Sequence, residues 1–141
     1  IVFIKEDLYK DIIKSVPILC VDILINLDDK YLLIKRNDNP LKGEWWVPGG
    51  RVLLGEDCIS AAKRKLSEEL NLPSSNLRIY GIYEDNFEES SFGAHYYHTV
   101  SIVYLLELND IDNIDLNSTS SDWKLHDKIP ERLKNNLIRI N

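Results

Sequence analysis

The hydrophobic positions of the chain change period several times between its first and last residues. Leu8, Ile12 and Ile13 in KEDLYKDIIKS recur at helical spacing, and Pro17 stops the helix they predict. ILCVDILIN alternates and is rich in branched residues, which predicts a strand. LDDK turns the chain, and YLLIKR returns as a second strand paired back on the first. NDNPLKGE is a loop by composition, and WWV is a brief strand before Pro48. EDCISAAKRKLSEEL is periodic as a helix, with Ile59, Ala62, Leu66 and Leu70 on one stripe, and NLPSSN ends it. LRIYGIYEDNF and HYYHTVSIVYLLEL predict two more strands around the polar loop EESSFGA. NDIDNIDLNSTSSD is a long acidic, hydroxyl-rich loop, followed by a short strand expected over 123–125. PERLKNNLIRI closes the chain as a helix, with Pro130 near its first turn. No repeat and no linker divides this order. It predicts one α/β domain over 1–141, a mixed sheet flanked by helices.

Composition changes this picture in three ways. Apolar residues make up 44%, enough for one core, and charged residues 28%. The net charge of -6 argues against binding nucleic acid polymers, which need a basic face. A nucleotide-sized anion needs only a few placed arginines. Cys20 and Cys58 fit no metal spacing and are expected to be reduced thiols, so a cytoplasmic location is expected. VPILCVDILI is too short to span a bilayer and carries Asp22, so no membrane partner is expected.

The candidate chemistry sits where the pattern turns from strand to helix. At about 100° per residue, Lys65, Glu68 and Glu69 share one flank of the helix, beside its apolar stripe. Two adjacent carboxylates repel and call for a cation or a shared proton. Hard oxygen ligands suit Mg²⁺ or Mn²⁺, ions that commonly hold substrate phosphates. The plain alternative is a solvated face with a Lys65–Glu69 pair. The preceding loop tilts the balance: Gly49 and Gly50 bring backbone close to a ligand, and Arg51 can fork onto phosphate oxygens.

Gly50, Glu56, Arg64, Leu66, Glu68, Glu69 and Leu72 fall at the spacing of the Nudix box, which this segment, 50–72, resembles. Lys65 replaces the first glutamate of the Arg-Glu pair, and Asn71 replaces the glycine; Asn tolerates a left-handed cap better than most residues. LIKRNDNPLKGEWWVPGGRV and the opening segment with Asp22 are similar to the GDP-mannose mannosyl hydrolase branch of that family. The resemblance implies the Nudix α/β/α sandwich with a mixed β-sheet between helices. It implies hydrolysis of GDP-mannose to GDP and mannose with a single divalent ion, Mg²⁺ or Mn²⁺. By the same resemblance the Gly49 carbonyl and Glu69 bind the metal, with Glu68 a second ligand or an outer partner. Arg36 and Arg51 hold the diphosphate and offset charge on the leaving group, and Asp22 contacts nucleotide or sugar. Phe3 and Tyr9 stack on a purine or simply pack. The segment 1–16 is expected to contact a second copy in a homodimer.

One departure touches the mechanism. The branch's general-base histidine falls on Ser120, and a neighbouring metal-contact amide on Thr119. A serine hydroxyl is a poor base near neutral pH. His126, His98, Glu84, Asp85 and the acidic loop that follows are the other candidate bases, with His98 expected to be structural. Three readings stay open: a nucleotide-sugar hydrolase with a relocated base, a pyrophosphohydrolase cleaving at phosphorus, and a nucleotide-sugar-binding domain with little turnover.

Overall fold

The computed structural model describes residues 3–90, 92, 96–111 and 113–140. The first helix, α1 (Glu6–Ile13), ends before Pro17, and its Ile13 is buried. β1 (Ile18–Leu27) is the strand around which the sheet is built. It turns through Asp28 and Asp29, both at positive φ, into β2 (Lys30–Arg36). β3 is Trp45–Trp46, β4 is Gly49–Arg51, and α2 is Cys58–Leu70. β5 (Arg78–Phe87), β6 (Tyr97–Leu108), β7 (Ser120–His126), α3 (Glu131–Asn135) and β8 (Leu137–Arg139) complete the order.

The main path of the sheet runs β3-β2-β1-β6-β5-β8, with β4 added on β1 and β7 on β2. β1 and β6 pair in parallel over ten positions, from Ile18↔Thr99 to Leu27↔Leu108, and the other pairings are antiparallel. The sheet is therefore mixed. Alternation sorts β1 onto two faces. Val21, Ile23 and Ile25 pack with Ala61, Ala62, Leu66 and Leu70 of α2. On the other face Leu24 packs with Tyr83, Val103, Leu105 and Leu133 of α3, and Ile18 and Cys20 pack with Ile13 of α1. Helices thus cover both faces, the sandwich that the sequence predicts.

Four details differ from the sequence expectation. The buried side of α2 is shifted: Ile59 is 39% exposed, whereas Ala61 and Glu69 are covered. Glu69 is drawn in because a backbone amide receives it, as described below. Gly49–Arg51 forms a short strand where only a loop was expected. β7 extends over seven residues beside β2 instead of three. The closing helix is one turn and a half; Asn135 and Asn136 end it, and the branched residues that follow pair with β5 as β8. Asn71 caps α2 at φ 53, ψ 40, the left-handed conformation expected of it. Among the described residues no helix is long and apolar enough to cross a membrane.

Candidate functional site

The site arises where β1 changes partners. Its outer edge pairs with β2 only at Asn26 and Leu27, and with β4 at Cys20, Val21 and Asp22. The Ile23 amide donates to the Pro48 carbonyl at 2.9 Å, and the Val52 amide to the Leu19 carbonyl at 3.0 Å. In an antiparallel ladder bonded and non-bonded pairs alternate. Asp22↔Gly49 is therefore a non-bonded pair, and the Gly49 backbone groups turn away from β1. Its amide donates to Glu69 Oε2 at 3.0 Å. A Cβ on Gly49 would run into the Val21 carbonyl and the Asp22 carboxylate. A Cβ on Gly50 would lie 2.8 Å from Lys65 Cε. Closeness requires glycine at 49, whereas at 50 the Lys65 side chain fills the space a Cβ would take.

The charges around this point are confined. Glu69 is 4% exposed, and burial pushes its carboxyl up to about 7, against the pull of Lys65 and the Gly49 amide. Asp22 is 8% exposed; burial pushes it up to about 6, with Ser101 and Arg36 acting in the opposite direction. Lys65 Nζ lies 3.7 Å from Glu69 Oε1 and 3.3 Å from Glu68 Oε2. Glu68 also pairs with Arg64 at 3.3 Å and stands on the outer flank. Arg64 forks onto Glu56 (Nε to Oε2 2.8 Å, Nη2 to Oε1 3.1 Å) and its Nη2 reaches the Arg51 carbonyl at 3.0 Å. That fork holds the Glu56 carboxyl below its ordinary range.

A cleft opens over these groups. Asp22, Arg36, Gly49, Lys65 and Glu69 line its charged end, and Trp46, Tyr83, Phe87 and Tyr97 its aromatic wall. Arg36 Nε donates to the Pro40 carbonyl at 2.7 Å, so the 38–40 loop fixes its stem while the terminal nitrogens remain for a ligand. Arg51 lies just beyond the cleft on the same strand face as Gly49, its guanidinium 5.1 Å from the Tyr9 ring centroid. The Tyr9 and Tyr97 hydroxyls are 3.4 Å apart, which ties α1 to the aromatic wall. Phe3 is 78% exposed and outside the lining. The structure thus gathers Asp22, Arg36, Gly49 and Glu69, sets Arg51 and Tyr9 beside them, and leaves Glu68 and Phe3 further out. Sequence reasoning missed Thr99 and Ser101, which also line the cleft. Their signal was two hydroxyls at alternate positions among the apolar residues of that strand.

The candidate bases lie elsewhere. Ser120 is 6% exposed and its Oγ has no hydrogen-bond partner; its neighbour Thr119 is the residue that lines the cleft. His126 packs against Trp45, centroids 5.1 Å apart, at the far end of β7. His98 lies 3.8 Å from Glu84. Asp85 is held by Arg132 at 2.6 Å and by the Tyr83 hydroxyl. Among the described residues the cleft lining includes no histidine.

The donor set fits a divalent ion of limited protein coordination. Among the described residues no three acidic, histidine or cysteine side chains converge as a metal nest. The candidate donors are one buried carboxylate, Glu69, and the Gly49 carbonyl turned away from β1. Mg²⁺ and Mn²⁺ accept such a set, because they retain waters and take one or two carboxylates plus substrate phosphate.

Known proteins resemble this chain in sequence and fold. The low-salt glycan biosynthesis protein Agl8 of Haloferax volcanii is 30% identical over 123 residues, covering 86% of this chain and 78% of its own length. An ADP-ribose pyrophosphatase of Methanocaldococcus jannaschii is 36% identical over 104 residues, 74% of this chain; the match spans 59% of that relative. Among solved structures, a bifunctional NMN adenylyltransferase/ADP ribose pyrophosphatase from Francisella tularensis, complexed with AMP and a Mn ion, superposes with a TM-score of 0.63. It is 25% identical, and the match covers 92% of this chain and 39% of that one. The NUDIX domain matches residues 17–134, and this chain belongs to the Nudix family.

Proposed function

We propose that the protein is a divalent-metal-dependent hydrolase of nucleotide sugars, with GDP-mannose the substrate and GDP and mannose the products. The observation that carries the reading is the buried Glu69–Gly49 pair beside a cleft that Arg36 enters from β2 and Lys65 from α2. Glu69 and the Gly49 carbonyl would hold Mg²⁺ or Mn²⁺, with Glu68 as an outer partner. The bound ion supplies Lewis-acid stabilisation of the phosphate charge. Arg36 and Arg51 bind the diphosphate and offset charge on the departing GDP. Asp22 holds a hydroxyl of the nucleotide or sugar. Asp38, the lining carboxylate besides Asp22 and Glu69, would be left to take a proton from water. The cleft encloses about 210 Å³, below the ~300–1,000 Å³ of pockets that engulf a drug-sized ligand. The nucleotide therefore extends over Arg51 and Tyr9, where Tyr9 offers a face for the purine. Phe3 reaches the purine only if the first segment folds inward.

A second reading, cleavage at phosphorus, is favoured by the buried serine at the expected base position. It also draws on the ADP-ribose pyrophosphatase relative. Turnover of GDP-mannose in heavy-oxygen water with Mg²⁺ separates the two. Label in mannose supports attack at the sugar carbon. Label in a phosphate product establishes the pyrophosphohydrolase. Binding with no consumption of any nucleotide sugar would refute hydrolysis and leave a binding domain.

A further inference from the structure

Lys65 is the charged group of the cleft that neither the metal donors nor the arginine pair accounts for. It sits where the Nudix box has a glutamate. A lysine on a helix flank ordinarily keeps its ammonium in water. Here the side chain is 15% exposed, runs across the open face of Gly50, and lines the cleft. Its ammonium stands 3.3 Å from Glu68 and 3.7 Å from Glu69. The charge balance of the lining gives it a purpose. Asp22, Asp38 and Glu69 contribute three negative charges when ionised, and Arg36 and Lys65 two positive ones. With a glutamate at 65 the same lining would hold four negative charges against one positive. A diphosphate entering that lining would meet an excess of negative charge.

We propose that Lys65 is a diphosphate-contacting residue, whose ammonium holds the place of a divalent ion on this flank of α2 and takes a phosphate oxygen of the bound nucleotide. The inference rests on the nucleotide-sugar reading above. Three features support it: the side chain is largely covered and lines the cleft, its stem is steered by the missing Cβ of Gly50, and its partner Glu68 is exposed enough to be satisfied by water when the ammonium turns to phosphate.

The test is calorimetric titration of the full chain with GDP, in EDTA and again with Mg²⁺, guanosine serving as the uncharged control. Lys65→Gln is expected to weaken GDP binding about 10-fold, the scale of one charge-assisted hydrogen bond. The loss should be larger in EDTA, and guanosine binding should be unaltered. Lys65→Arg is expected to restore most of the affinity. Lys65→Glu is expected to take up one more Mn²⁺ than the wild type, counted by the electron-spin signal of the free ion. GDP affinity of Lys65→Gln within twofold of wild type in both conditions overturns the inference and leaves the nucleotide-sugar reading standing. Failure of the wild type to bind GDP even with Mg²⁺ overturns that reading, and the role of Lys65 falls with it.

Discussion

Arg64→Ala should cost more stability than any other single charge removal on α2. Glu56 is 3% exposed at its side chain and accepts three N–H groups: Arg64 Nε at 2.8 Å, Arg64 Nη2 at 3.1 Å and the Leu53 amide at 3.1 Å. Removing Arg64 leaves a buried carboxylate on the Leu53 amide alone, and strips the Arg51 carbonyl of its donor as well. Breaking a buried pair from one side costs ~3–5 kcal/mol. At ~3 °C per kcal/mol for a domain of this size, the midpoint should fall by on the order of 10 °C. Glu56→Gln should cost less, since the Arg64 side chain is 23% exposed and can be hydrated. The double variant should cost less than the sum of the two, by ~0.5–3 kcal/mol of coupling. Urea unfolding read by linear extrapolation measures all three. Acidity supplies an internal check. The folded Glu56 titrates below its unfolded value, so the pair stabilises the fold above the unfolded pKa near 4.3 and loses that contribution as pH falls through the folded one. The gap between wild type and Arg64→Ala should therefore be full at pH 7 and shrink below about pH 4. A loss under ~1 kcal/mol at pH 7, or a gap unchanged down to pH 3, would refute the reasoning.

Other outcomes follow from the same geometry. Glu69→Gln should abolish metal-dependent turnover and weaken Mn²⁺ binding; full activity in that variant would sink the site assignment. Arg51→Ala should weaken GDP-sugar affinity about 10-fold by removing a charge-assisted contact, and unchanged calorimetric affinity would count against its placement. Arg132→Ala should destabilise the fold by about 1–3 kcal/mol in denaturant, because Asp85, 9% exposed at its side chain, is left with the Tyr83 hydroxyl and one backbone amide. The exposed Leu8 and Val16 of the first segment are proposed to meet a second copy, so light scattering should return a dimer mass that Leu8→Glu lowers; a wild-type monomer removes that idea.

Most of the sheet and the central helix could be read from periodicity, because their apolar positions face a core on one or both sides. β4 could not. Two glycines and an arginine carry no alternating apolar signal, and their strand pairing comes from lying against β1. β8 was hidden for a related reason: LIRI follows a helical turn without a break, and only β5 as a neighbour makes it a strand. In the site, spacing placed Glu69 and Gly49, since a helix flank following a glycine pair has few ways to face it. It also marked Lys65, but not the direction of its ammonium, which depends on the space that Gly50 leaves. The cleft's far wall was illegible. Tyr83 and Phe87, on the strand before the polar loop, and Tyr97, on the strand after it, meet the glycines only through the parallel pairing of β1 and β6, a contact between distant segments.

That pairing also explains why bulky aromatics stand beside permissive glycines. Gly49 works by what it lacks: with no Cβ, it lets the Asp22 carboxylate and the Val21 carbonyl approach, and it turns its own amide to Glu69. A backbone so free would cost entropy to hold and would wander without support. The support comes from both sides. Before the glycines, Trp46 packs on Tyr83 with centroids 5.9 Å apart, Trp45 packs on His126, and the Pro48 carbonyl is tied to Ile23. After them, Arg64 grips the Arg51 carbonyl, and Glu56 grips the Leu53 amide. The strand is fixed at its two ends and bare in its middle. That combination holds the Gly49 carbonyl in one place, which its proposed role as a metal ligand asks of it, because geometry at such a site must hold to within about 0.5 Å.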